Sequence, residues 1–171
     1  MSLRVLIEPS AIPIVVEVIP SAAHATDPGV VEIREAGVSD HAVHLDVGGL
    51  HIWYLLEAIP TGLVDLTVMY VEETARLFLG GHRLSCVVDV ARRVVEHRFE
   101  HCLFWSFDRD TRPGFVLEAG ELDCLFRGLD GRVLGQTSVD PPWDCHVETA
   151  GVRFESMMLG TTFLAFPDGP A

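Results

Sequence analysis

Two pairs of rare residues stand at one common offset: Cys86 and Cys124 are 38 residues apart, and so are Trp105 and Trp143. Leu79/Leu117, Leu84/Leu122 and Val95/Val133 are identical at the same spacing, while Leu77/Phe115, Phe78/Val116, Val87/Leu125 and Val88/Phe126 keep apolar character. A period of this size marks a supersecondary unit set beside a copy of itself, which constrains architecture strongly and chemistry hardly at all. Residues 77–143 read as two repeat units, with 152–166 as the start of a third and 1–72 as N-terminal strands without an alignable copy.

Composition sets the outer limits. A chain of 171 residues is about one domain by length, so 1–171 is expected to fold as a single domain with a sizeable core. The apolar fraction of 49% and charged fraction of 22% are those of a globular protein, not of a disordered or fibrous one. Twelve Lys and Arg against 25 Asp and Glu give a formal charge of −13, which repels phosphate backbones and anionic lipid. Neither nucleic acid nor a membrane is an expected partner. A negative surface also keeps a protein soluble, and a basic protein partner stays compatible with it.

The short run Val5-Leu6-Ile7 is broken at once by Glu8 and Pro9, so no signal-peptide core is visible there. No apolar stretch approaches the ~18 residues of a membrane helix. Cys86, Cys102, Cys124 and Cys145 form no C-x-x-C pair and fit reduced, buried thiols better than a disulfide framework or a zinc knot. The expectation is a soluble, cytoplasmic protein.

The hydrophobic pattern is mostly of period two. Val43, Leu45 and Val47 alternate with His44 and Asp46; Leu84, Cys86 and Val88 with Ser85 and Asp89; Val152 and Phe154 with Arg153 and Glu155. These patterns predict half-buried strands, and they place Leu84/Cys86/Val88 and Leu122/Cys124/Phe126 on equivalent ones. Turn signals fall between the strands at Asp27-Pro28-Gly29, Gly48-Gly49, Gly80-Gly81, Arg112-Pro113-Gly114, Asp130-Gly131 and Pro167-Asp168-Gly169. Asp130-Gly131 suits a two-residue I′ hairpin, whose two central residues need positive φ. Val87–Leu103 can also be drawn as a helix, but the matching segment Leu125–Pro141 holds Gly128, Gly131 and Gly135, which a helix tolerates badly. Strands are expected in both segments.

The unit Phe115–Trp143, with its glycine turn, Leu129-Asp130-Gly131-Arg132-Val133-Leu134 and closing Trp, resembles a β-propeller blade of the quinoprotein-like or WD-like kind. Gly135 stands where quinoprotein-like blades usually carry Trp, and 171 residues do not supply six to eight blades, so no propeller chemistry is carried over. The resemblance implies four-stranded antiparallel meanders. The expected fold is all-β, either an incomplete or small propeller-like array or a β-sandwich.

One motif has a chemical name: His97-Arg98-Phe99-Glu100-His101 matches H-x-x-E-H, the inverted zinc-protease signature. On a helix its two histidines face one zinc and the glutamate can act as base. On a strand they stand ~13 Å apart and Glu100 turns to the opposite face, so no metal site is expected at His97, Glu100 and His101. Cys102 beside His101 would likewise face away from it. Asp40, His44 and Asp46 read as a solvated strand face, and Asp108-Arg109-Asp110 as a charged turn lacking the rest of a calcium loop. No Ser-nucleophile motif, phosphate loop or dinucleotide fingerprint is present, and neither a catalytic residue nor a cofactor is assigned.

Trp105 and Trp143 are expected to be buried packing residues at equivalent places in successive units, with a ligand-stacking recognition surface as the alternative. Asp140-Pro141-Pro142-Trp143 is a stiff extended segment, because Pro fixes φ and restricts the residue before it. The function expected is that of a non-catalytic module binding a protein or small ligand. An acidic, immunity-type inhibitor of a basic partner and a metal-dependent hydrolase built on His97, Glu100 and His101 are the alternatives. An uncovered edge strand would favour a homodimer.

Overall fold

The period-two alternation becomes strand along the whole chain. The structure, a computed structural model, describes residues 2–20, 29–36, 39–57 and 63–166, and contains no helix among them. The strands are β1 (Ser2–Ile7), β2 (Ile14–Pro20), β3 (Val31–Arg34), β4 (Ser39–Val47), β5 (Leu50–Glu57), β6 (Leu63–Val71), β7 (Arg76–Gly80) and β8 (Leu84–Asp89). They continue as β9 (Val94–Glu100), β10 (Phe104–Asp108), β11 (Phe115–Gly120), β12 (Asp123–Gly128), β13 (Val133–Ser138), β14 (Trp143–Glu148), β15 (Gly151–Ser156) and β16 (Gly160–Ala165). The turn signals Asp27-Pro28 and Pro167-Asp168-Gly169, and the Asp40 side chain, lie outside the described residues.

The chain divides into two compact units, Met1–Phe99 and Glu100–Ala171. In the first, sheet I has the order β2-β4-β5-β3 and sheet II the order β1-β6-β7-β8-β9. Val43, Leu45, Val47, Ile52 and Tyr54 of sheet I meet Leu66, Val68, Leu77, Leu79, Cys86 and Val88 of sheet II in one core, so this unit is a sandwich. The pairs β1/β6 and β3/β5 are parallel. The other pairings for which a register is resolved are antiparallel.

The second unit holds sheet III, β10-β11-β12-β13, and sheet IV, β14-β15-β16. Its core joins Leu117, Ala119, Cys124 and Phe126 of sheet III to Val152, Phe154 and Leu164 of sheet IV. Cys86 and Cys124, and Val88 and Phe126, reach the cores of the two units, but the offset does not carry over to their partners: Leu79 lies opposite Cys86, whereas Leu117 lies opposite Phe126 and Ala119 opposite Cys124. Leu122 does not follow Leu84. It sits in the turn ahead of β12 and is 44% exposed.

Alternation understates burial in the middle strands. β8 and β11 are buried at every position, Ser85, Asp89 and Glu118 included. A strand buried on both faces has no solvent side to mark with polar residues, which is why β7 and β11 carry successive apolar residues, Leu77-Phe78-Leu79 and Phe115-Val116-Leu117. The β12–β13 turn also departs from expectation: of Asp130 and Gly131 only Gly131 has positive φ, at 88°, and Gly128 N–H bonds Arg132 C=O at 2.9 Å. A three-residue loop closed by a left-handed glycine replaces the I′ turn, and the β12–β13 register breaks beside it, between Phe126 and Arg127.

Candidate functional site

His97, Glu100 and His101 are not brought together as a metal-ligating group. His97 lies within β9, Glu100 ends that strand exposed to solvent, and His101 falls just beyond it, only 3% exposed. Both ring nitrogens of His101 are engaged, Nε2 with Glu118 Oε1 and Nδ1 with Asp123 Oδ1, each at 2.7 Å. No lone pair remains for a metal. Among the described residues no group of three or more His, Cys, Asp and Glu side chains is arranged to hold one.

His101 belongs instead to a buried ionic cluster that sequence reasoning missed. Glu118 and Arg127 project from β11 and β12 on the face of sheet III opposite its Phe126 core, in a register where Glu118 faces Leu125 and Arg127 faces Val116. Arg127 Nε donates to Glu118 Oε2, and Arg127 Nη1 donates to the Gly131 carbonyl at 2.9 Å. With carboxylates at both nitrogens, the ring donates twice and is imidazolium. Burial opposes that charge, but the hydrogen bonds and charges of Asp123 and Glu118 outweigh it and raise the His101 pKa. Glu118 is held below its ordinary value: burial works against the carboxylate, and His101 and Arg127 more than reverse it. The cluster pairs two cations with two anions in the interior. Each charge in it is met by an opposite one within hydrogen-bond reach, as burial requires.

The first unit has a smaller counterpart. The Tyr54 hydroxyl donates to the Leu84 carbonyl at 2.7 Å and lies 3.3 Å from Glu35 Oε1, and burial together with the Glu35 charge pushes its pKa well up. None of the four cysteines is in a disulfide, and Cys102 and Cys145 are exposed where buried thiols were expected. Burial raises the Cys124 thiol to about 12, and burial with Asp108 and Asp144 raises Cys145, so neither is an activated nucleophile. Asp108 caps its own turn, accepting from Asp110 N–H at 2.7 Å and Thr111 Oγ at 2.8 Å.

The tryptophans come together. Trp105 and Trp143 stack with centroids 4.9 Å apart and planes 15° from parallel. They are not equivalent: Trp143 meets Phe154 edge-on at 5.6 Å and packs on the core, whereas Trp105 occupies a register break in β10 and is 39% exposed. Trp143 pairs with Ser156 across sheet IV, which places the stack at the end of the sheet where β15 turns into β16.

Among the described residues that turn holds the two most exposed large apolar side chains. It reads Ser156-Met157-Met158-Leu159-Gly160, and its three apolar side chains are 71%, 86% and 53% exposed. Asp140 ties it down: Oδ2 accepts from Met158 N–H at 2.8 Å, Oδ1 accepts from Leu159 N–H at 2.7 Å, and Ser156 Oγ accepts from Asp140 N–H at 3.2 Å. The Pro141–Pro142 bond that follows is cis. The signal was present in the sequence, since three large apolar residues separate two strands with no turn former until Gly160. The period-two reading passed over it.

No family model matches the chain, and no curated protein matches it. The assignment therefore rests on geometry. No helix among the described residues is long and apolar enough to cross a membrane.

Proposed function

We propose that this chain is a non-catalytic interaction module of the cytoplasm that docks on a protein partner through one end of sheet IV, using Met157, Met158, Leu159 and Trp105. The observation that carries this is the Asp140 clamp. Exposed apolar residues on a loose loop cost ordering entropy when they bind; here backbone hydrogen bonds have already fixed the turn, so its side chains meet a partner at low cost. Methionine adapts its shape to an apolar pocket, and tryptophan supplies a large rigid face beside it. The 38-residue offset and the antiparallel sheets support reading 77–143 as two blade-like units that serve as the scaffold.

A second reading follows from the charge of −13: an acidic inhibitor of a basic partner. Salt separates the two, because binding through an apolar turn changes little between low and high salt whereas charge-driven binding weakens steeply. The test is affinity capture with wild type and the Met157→Ser/Met158→Ser variant, followed by calorimetry with the purified partner. At least a tenfold loss in the variant is expected. Undiminished binding by the variant, together with a steep salt dependence, would instead establish the acidic-inhibitor reading.

A further inference from the structure

We propose that β2 pairs with β2 of a second copy, so that sheet I continues across a two-fold axis into the same sheet of another chain. Each sheet among the described residues ends in two edge strands, and an unprotected edge is an invitation to pairing. Seven of the eight carry a recognisable safeguard. β3 is four residues long; β9 carries Glu96, His97, Arg98 and Glu100; β14 carries Asp144, His146 and Glu148; the β10 register breaks between Phe104 and Ser106. β1 has Arg4 at its centre in an ion pair with Asp65, β13 is interrupted by Gly135 and polar residues, and β16 opens with Gly160-Thr161-Thr162.

β2 has almost none. Its sequence Ile14-Val15-Val16-Glu17-Val18-Ile19-Pro20 holds five β-branched aliphatic residues, and its pairing with β4 runs from Ile14↔Val47 to Pro20↔His41 without a bulge. Val15 is 61% and Val18 45% exposed. Among the described residues no strand lies on its other side, where alternate residues of β2 present backbone groups that β4 does not take. Another strand satisfies such a row along its length, and a second copy brings one of matching length and twist.

Symmetry narrows the register. A two-fold axis perpendicular to the sheet makes the strands antiparallel and pairs residues of like parity, keeping each face continuous. Centring on Glu17 would oppose two carboxylates, and centring on Val18 would bring Pro20, which has no N–H, into the ladder. Centring on Val16 avoids both: Ile14 faces Val18 of the second copy, and Val15 lies against the stem of its Glu17. The opposing force is the −13 on each chain, which salt screens.

Sedimentation equilibrium of the full chain at ~0.02 M and ~0.2 M salt tests this directly. A species of twice 18.8 kDa is expected, with association at least threefold tighter at the higher salt. Val15→Lys/Val18→Lys should weaken it at least tenfold, although its added positive charge lowers the overall repulsion; Met158→Ser should leave it unchanged, which separates this contact from partner docking. Should the lysine variant fold poorly, hydrogen exchange on the wild type decides, with the amides of residues 15–19 gaining protection as concentration rises. A chain that stays at 18.8 kDa up to ~1 mM at both salts, a lysine variant that associates like the wild type, open-ended assembly, or concentration-independent exchange in β2 would each overturn the proposal.

Discussion

His101 Nδ1 and Asp123 Oδ1 meet at 2.7 Å across a separation of 22 residues, and Gly120 is what lets them meet. A Cβ on Gly120 would stand 2.6 Å from His101 Nδ1 and 2.8 Å from Asp123 Oδ1, inside the space the hydrogen bond occupies. Gly120→Ala should therefore destabilise the second unit by about 1–3 kcal/mol, the usual penalty for overpacking a tight site. A shift of the His101 ring resonances in NMR spectra of the variant checks that the hydrogen bond is what moved.

Glu118→Gln tests the ionic cluster from its centre. The change keeps the shape but leaves His101 and Arg127 buried with one anion between them, and breaking a buried charge pair in this way costs about 3–5 kcal/mol. Urea denaturation of the two proteins at neutral pH reads the difference. A cost under about 1 kcal/mol would mean that solvent reaches the cluster.

The same cluster sets a pH profile with two limbs. His101 has a raised pKa in the folded chain, so its contribution is fully present below the unfolded value near 6.5 and fades as pH climbs through the raised one. Glu118 is lowered, so its contribution is present above about 4.5 and fades as pH falls through the lowered value. Stability of the second unit should be greatest between these limits. Denaturant midpoints from pH 3 to 9 measure it, and an alkaline limb of equal slope in His101→Gln would remove His101 as its cause.

Trp143→Ala and Trp105→Ala should differ despite the 38-residue offset that relates them. Removing Trp143 strips core contacts with Phe154 and should cost about 3–5 kcal/mol. Removing Trp105 takes away one stacked face from a ring 39% exposed, about 1 kcal/mol. Equal costs by thermal or chemical unfolding would contradict the packing described here.

Asp140→Ala should loosen the β15–β16 turn without unfolding its unit. The carboxylate holds the amides of Met158 and Leu159, so their hydrogen exchange should quicken at least tenfold while the amides of Val152 and Phe154 keep their protection. Partner binding through the turn should weaken as its ordering cost returns.

The all-β class was legible because Val43/Leu45/Val47 and Val152/Phe154 alternate cleanly, each in a strand with a wet face. The offset of Cys86 and Cys124 likewise pointed to two residues that do reach cores. The ionic cluster was not legible. His101 lies just past β9, Glu118 on β11, and Asp123 and Arg127 on β12, so the four become neighbours only on folding, and the familiar H-x-x-E-H pattern points to His97 and Glu100 instead. The two tryptophans share a sequence offset but not an environment, since the register break at Trp105 lifts one ring to the surface.

The Asp140 clamp grips main-chain amides and asks nothing of the side chains it displays. Residues 157–159 can therefore drift through selection with little effect on folding, provided Asp140, Ser156 and Gly160 stay. Under the proposed docking role, replacing these three exposed residues changes what is recognised and leaves the frame intact.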